Sequence, residues 1–292
     1  MTPINQWKRL LLAQYQLPTI ERDAYAIEPL DYPPLKEAIA AYLHRFRAVR
    51  AKADRVVVFA SKQLRLDAVA RVLVSPGDYV AFEEPGYWEA RTALQSLGAN
   101  IVPIPVDNHG LVVDELSASP HRFKLVYVTP SHQDPTGVTM SLERRVSLLE
   151  WANKTGAFIV EDDYDSEYRY GGRWLPSLQG LDRYDCVIYL GSLWKVLFQA
   201  VRFGFIVIPN CLRPVTRQAK MQLERHLPLL EQLALTEFIS GGRDSRKKHA
   251  QSNPYNCRSS LALTSRHTAR YRIPCDKPSL PDSFRLCSNC LL

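Results

Sequence analysis

Between about residues 55 and 210, short runs of β-branched and aromatic residues alternate with stretches in which apolar positions recur every three or four residues. The first pattern predicts strands and the second predicts crossover helices. Residues 55–59, 78–82, 100–104, 124–128, 157–162, 186–190 and 203–208 read as strands. The helices carry end signals. Ser141 is placed to cap a helix in which Leu142, Val146 and Leu149 line one face, with Glu143 in the first turn and Gly156 after the last. Pro33 and Pro34 introduce another helix over residues 35–47. A helical pattern runs from Leu212 towards Ser240 with a break at Pro228, and beyond Gly241 the periodicity stops. This alternation predicts an α/β fold, a mostly parallel sheet with helices on both faces.

Composition narrows the class. The 292 residues are 46% hydrophobic and 23% charged, which is ordinary globular composition and excludes collagen-like, wholly disordered and mucin-like chains. No run of about 18 apolar residues is present, and the apolar stretch at residues 10–13 is too short for a signal peptide. The chain is therefore expected to be soluble and cytoplasmic, with no membrane partner. The net charge of +7 is local: residues 241–292 hold 10 Lys/Arg against 3 Asp/Glu, whereas residues 1–240 hold 27 of each. Four of the six cysteines lie in the same tail, where Cys287 and Cys290 form a lone pair with neither a second pair nor a nearby histidine. Metal binding is not expected there. Nor does a basic tail without a folded motif make a nucleic-acid reader.

In an open α/β sheet ligands sit at the carboxyl ends of the strands. Three such ends are polar: Glu161-Asp162-Asp163-Tyr164-Asp165, Gly191-Ser192-Leu193-Trp194-Lys195 and Ser61-Lys62-Gln63. A lysine after one strand, an acid 33 residues earlier after another and a Ser/Lys helix start suggest an anionic ligand beside an amine nucleophile. Each also has a plainer reading: a solvated acidic loop, a surface charge, and a simple helix cap.

The intervening text discriminates. Tyr127-Val128-Thr129-Pro130-Ser131-His132-Gln133-Asp134-Pro135-Thr136-Gly137, the run from Glu161 to Tyr170, and Lys195 followed by Arg202-Phe203-Gly204 resemble the aminotransferase-like domain of MocR-type regulators, a GntR subfamily. Those proteins are similar to class I/II aminotransferases of the fold-type-I pyridoxal-phosphate superfamily. The resemblance implies a fold-type-I large domain over residues 31–240, after an N-terminal arm over 1–30 and before a tail over 241–292 of unassigned fold, with the small domain largely missing. It implies pyridoxal 5'-phosphate as cofactor. Lys195 stands at the Schiff-base lysine, Asp162 at the partner of the pyridine nitrogen, Tyr164 at the tyrosine on the ring hydroxyl, and Tyr87 at the stacking aromatic. Ser192 and Arg202 stand at phosphate ligands, with Ser61, Lys62 and Gln63 as the phosphate cup.

Several positions depart from the family pattern. The cup reads Ser61-Lys62-Gln63 in place of Gly-Ser-Gln after a small polar residue, Trp194 replaces a small hydroxyl residue, Asp134 replaces an aromatic, and Asp31 replaces a glycine. The sequence begins too late to hold the family's winged-helix DNA-binding domain, and its tail reads as a shifted reading frame. The expected function is a pyridoxal-phosphate-binding, aminotransferase-like domain of a transcriptional regulator, acting as a homodimer on an amino acid or amine. A ligand-sensing or remnant module without turnover is the alternative. His132 reads as a structural hydrogen-bond partner as readily as a base. Glu83, Glu84, Asp163, Asp165 and Glu167 read as loop-fixing or surface acids, and Trp88, Trp151 and Trp174 as packing residues.

Overall fold

The structure, a computed structural model, describes residues 3–16, 32–164, 176–193, 203–224 and 227–241. Asp31, Asp165, Glu167, Trp174, Trp194, Lys195, Arg202 and the tail from residue 242 lie outside the described residues.

Helix α1 (Pro3–Tyr15) is followed by α2 (Pro33–Arg47), where proline at the first helical turn costs no hydrogen bond. Strand β1 (Val56–Phe59), α3 (Lys62–Leu73), β2 (Tyr79–Glu84), α4 (Trp88–Ser96), β3 (Asn100–Asp107), the short β4 (Gly110–Leu111), α5 (Val113–Ala118) and β5 (Phe123–Val128) come next. The chain continues through α6 (Leu142–Thr155), β6 (Phe158–Asp163), α7 (Leu178–Leu181), β7 (Val187–Ser192), β8 (Gly204–Val207), α8 (Arg213–Leu223) and α9 (Leu229–Gly241). All seven predicted strands form, and β4 is an unpredicted two-residue return.

The strands make one sheet in the order β1-β8-β7-β6-β5-β2-β3-β4. Neighbours from β7 through β6, β5 and β2 to β3 are parallel. Strand β8 is antiparallel to both β7 and β1, so β1 runs with the parallel set. The carboxyl ends of β1, β2, β5, β6 and β7 therefore share one edge. Val80, Phe82, Leu125, Tyr127, Val160, Ile188, Leu190 and Ile206 pack on one face with Leu66, Val69 and Leu73 of α3 and Ala90 and Leu94 of α4. Residues of the opposite parity, such as Val126, Ile159 and Val187, pack on the other face under α5 and α6, while Val56, Val58 and Tyr189 pack with α1, α2 and α9. Within the expected N-terminal arm, residues 3–15 are helical and bury Trp7, and Gln14 Nε2 donates to Glu237 of α9 at 3.1 Å.

Helix α6 is capped as predicted: the Ser141 hydroxyl accepts from Arg144 N at 3.2 Å, and Gly156 takes φ 74°. Of its predicted apolar face only Leu149 is buried. Leu142 and Val146 are 47% and 42% exposed, whereas Arg145, Leu148, Leu149 and Ala152 are buried. The reason is Arg145. Its guanidinium donates to the carbonyl oxygens of Met140, Pro130 and Pro176 at 3.1, 2.7 and 3.2 Å, pinning loops that own no secondary structure. Trp151 packs as predicted, but Trp88 is 66% exposed.

Buried ionic contacts fasten α2 to the sheet. Arg47 Nε donates to Asp163 Oδ2 at 2.7 Å and Nη2 to Ser131 Oγ at 2.9 Å, and Tyr189 OH donates to the same Asp163 oxygen. Arg47 and Asp163 are both buried. Replacing Arg47 with Met is expected to lower the unfolding free energy in urea by about 3–5 kcal/mol, because it strands a buried carboxylate. Adding Asp163→Asn to that variant is expected to restore part of the loss.

Candidate functional site

Three consecutive carboxylates end β6, and the period of two sends them to opposite faces. Glu161 accepts from the backbone N–H groups of Leu178 and Gln179, both at 2.9 Å, and so starts α7. Asp163 holds Arg47. Between them Asp162 points to the face that carries α3.

Asp162 is the centre of the cluster. Arg65 Nη2 donates to Oδ1 at 2.7 Å, Tyr127 OH donates to Oδ2 at 2.5 Å, and Lys62 Nζ stands 3.7 Å from Oδ2. Burial alone would raise this carboxyl. The charges of Arg65 and Lys62, with the hydrogen bonds from Tyr127 and Arg65, outweigh burial and hold it below the usual carboxylate range. Burial in turn pushes the Lys62 ammonium down against the pull of Asp162, and pushes the Tyr127 phenol up.

Helix α3 delivers both cations. Ser61 caps it, its hydroxyl accepting from Leu64 N at 3.1 Å. With φ −152° and ψ 161°, Ser61 adopts extended backbone that needs no glycine, although the family pattern has one there. Lys62 and Arg65, three residues apart, share one side of the helix. Gln63 is exposed. The Lys62 ammonium lies 3.6 Å from the centroid of the Tyr87 ring and 5.7 Å from that of Tyr164. Tyr87 is aimed by the turn before it, where a side chain on Gly86 would come within 2.3 Å of Glu83 O. Burial, and then the charges of Glu89 and Asp162, raise its phenol.

The end of β7 adds Ser192, which projects from the same face as Leu190 and Ile188. Ser192 is 7% exposed, and its buried Oγ has no hydrogen-bond partner among the described residues. A Cβ on Gly191 beside it would lie 2.2 Å from the Phe205 ring, so a side chain there would force that ring to shift. Thus Tyr87, Asp162, Tyr164 and Lys62 meet in space, Ser192 and Ser61 end the neighbouring strands, and Lys195 and Arg202 lie outside the described residues. The Asp134 charge acts on the Lys62 ammonium, more weakly than that of Asp162. His132 Nδ1 is buried without a partner, so no structural hydrogen bond is seen for that nitrogen.

Two members of the cluster escaped the sequence reading, Arg65 and Tyr127. The signal for Arg65 was its place among Leu66, Val69 and Leu73 on an otherwise apolar helix face. For Tyr127 it was the inward register of β5.

Behind the site, Glu83 accepts from Thr129 N, Thr129 Oγ1 and Gln133 Nε2 at 3.1, 2.6 and 3.2 Å, all on Oε2, while its Oε1 has no partner. Burial pushes its carboxyl up to about 7 despite those bonds. Its folded state thus takes up a proton that the unfolded state has released, so its contribution is fully present below pH about 4.5 and is lost as pH rises through about 7. Glu83→Gln keeps an accepting oxygen and cannot ionise. In urea unfolding it is expected to match the parent chain near pH 4.5 and to exceed it by roughly 1–3 kcal/mol near pH 8.

Comparison with known proteins agrees with this geometry. Residues 20–251 match the aminotransferase class I and II family. The "Probable rhizopine catabolism regulatory protein MocR" of Rhizobium meliloti is 43% identical over 82% of this chain and 48% of its own. Aromatic-amino-acid aminotransferase 1 of Thermococcus litoralis is 33% identical over 72% of this chain and 52% of its own. The chain therefore spans about half the length of these curated relatives. The alpha-aminoadipate aminotransferase of Thermus thermophilus, solved with N-(5'-phosphopyridoxyl)-L-leucine, superposes with a TM-score of 0.73 at 29% identity, covering 85% of this chain and 64% of that one. With the fold, the strand-end cluster and the matched family in agreement, the chain belongs to the class I and II aminotransferases and has MocR-type regulators among its relatives.

Proposed function

We propose that this chain is the pyridoxal-phosphate-binding, aminotransferase-like module of a MocR-type transcriptional regulator, which holds the cofactor and meets an amino acid or amine as a homodimer in the cytoplasm. The observation that carries this reading is the convergence of Tyr87, Asp162 and Tyr164 at one sheet edge. It stands beside a buried Ser192 hydroxyl that has no partner among the described residues and the capped start of α3.

These residues fit a phosphorylated pyridine. The start of α3 and the Ser192 hydroxyl offer donors to a phosphate. The Tyr87 face suits stacking, and the Asp162 carboxylate suits the ring nitrogen. Tyr164, two residues beyond Asp162 and on the same side, suits the ring hydroxyl. Family resemblance gives Lys195 the amine that captures the aldehyde and Arg202 the fork that clamps the phosphate. When bound, pyridoxal phosphate supplies an aldehyde that captures amines and a ring that accepts electron density. The chain's own groups would orient that ring, with Tyr87 against its face and the Asp162 carboxylate serving its nitrogen. Among the described residues no helix is long and apolar enough to cross a membrane.

One observation favours the second reading, a sensor without turnover: Asp162 is already paired with Arg65 inside the protein. The first reading requires cofactor capture at one lysine. The full chain soaked with pyridoxal 5'-phosphate is expected to gain a visible absorption band, and borohydride reduction is expected to fix the label on the peptide holding Lys195. Lys195→Ala should abolish both signals. A label that spares Lys195 in the parent chain rejects the proposal.

A further inference from the structure

The start of α3 hangs from the edge of the sheet. Strand β1 is outermost and pairs only with β8, and its ladder ends at Phe59 opposite Gly204. Ala60 then joins the strand to Ser61, the cap of α3. The N–H groups of that first turn have no partner inside the helix, so they are the donors a phosphate would use. A bond from another helix holds the chain that leads into them. Ala60 N donates to both carboxylate oxygens of Glu224, at 3.3 and 3.2 Å. Glu224 directly follows α8, which packs against α3.

Glu224 is held in turn by Lys220, one turn earlier. The Lys220 ammonium donates to Glu224 Oε2 at 2.8 Å and lies 4.7 Å from the centroid of the Phe59 ring. The Lys220 side chain is fully buried and that of Glu224 is 14% exposed. A buried ammonium needs a partner, and Glu224 supplies it. The pair thus grips both residues at the exit of β1, the ammonium against Phe59 and the carboxylate against Ala60. The ring end of α3 has separate anchors, because Arg65 donates to Asp162 and to Gly191 O.

We propose that Glu224 is a positioning residue for a phosphate seat at the start of α3, and that Lys220 cancels the charge Glu224 would otherwise set against that phosphate. This rests on the reading of the site given above and extends it to two residues of α8. A lone carboxylate next to the first turn would repel a phosphate dianion, and little water separates them to screen it. Paired with Lys220, the same carboxylate fixes the Ala60 N–H without adding net charge. The two contributions are separable: an accepting oxygen sets the geometry, and the ammonium sets the charge.

The test compares pyridoxal 5'-phosphate with pyridoxal, which has the aldehyde and the ring but no phosphate. Both are titrated into the full chain and followed by visible absorption. The parent chain is expected to prefer the phosphorylated ligand. Lys220→Met leaves the Glu224 charge uncompensated, and is expected to weaken the phosphorylated ligand several-fold while leaving pyridoxal unchanged. Adding Glu224→Gln, which keeps an oxygen for Ala60 N, is expected to restore the preference. Lys220→Met with Glu224→Leu has no such oxygen and is expected to lose it. Neither double variant buries a charge at these two positions, so their comparison decides the matter even if Lys220→Met alone does not fold. Equal weakening of both ligands overturns the proposal, as does one preference shared by the two double variants. An unchanged preference in Lys220→Met overturns the role given to that ammonium. Each of these results, in a parent chain that binds the phosphorylated ligand, sinks this inference alone. A parent chain that binds neither ligand sinks the function proposed above together with it.

Discussion

A carboxylate at the end of a buried strand has to be compensated, and much of this molecule is arranged around that requirement. The run Glu161-Asp162-Asp163 places three acids on successive positions of β6, all of them buried. Strand alternation separates them, so each meets its own partners: two backbone N–H groups of α7 for Glu161, Arg65 with Tyr127 for Asp162, and Arg47 with Tyr189 for Asp163. An isolated buried charge would cost several kcal/mol. These acids consequently tie α7, α3 and α2 to the middle of the sheet.

What the sequence disclosed about the fold follows from how local each signal is. Strand runs and helix caps such as Ser141 and Ser61 depend on near neighbours, and these were legible. The direction of β8 was not, because a four-residue apolar run pairs equally well either way and only its place between β1 and β7 decides. The buried face of α6 was legible only at Leu149, because an arginine normally marks the solvent side. Arg145 is inside because it satisfies three loop carbonyls that lie 5 to 31 residues from it in the chain. Trp88 misled in the opposite sense, since a large aromatic at the first position of α4 is exposed.

The site divides along the same line. Asp162, Tyr164, Tyr87 and Ser192 were readable because motifs fix their spacing, and period-two alternation puts Asp162 and Tyr164 on one side. Arg65 was hidden for a physical reason: its partner is 97 residues away, and nothing local marks a buried arginine on an amphipathic helix as paired with a strand end. The departure noted at Ser61 has less consequence than its glycine-to-serine character suggests, because extended backbone there tolerates any residue. More consequential is Lys62, which with Arg65 one turn on brings two cations from α3 to Asp162.

That charge is separable from the rest of the edge. The flat aromatic face comes from Tyr87 at the start of α4 and the buried hydroxyl from Ser192 at the end of β7. The charge around Asp162 is set by Lys62 and Arg65, which one turn of α3 supplies. A substitution at either cation would therefore change the charge at the strand end while leaving the elements that carry Tyr87 and Ser192 in place.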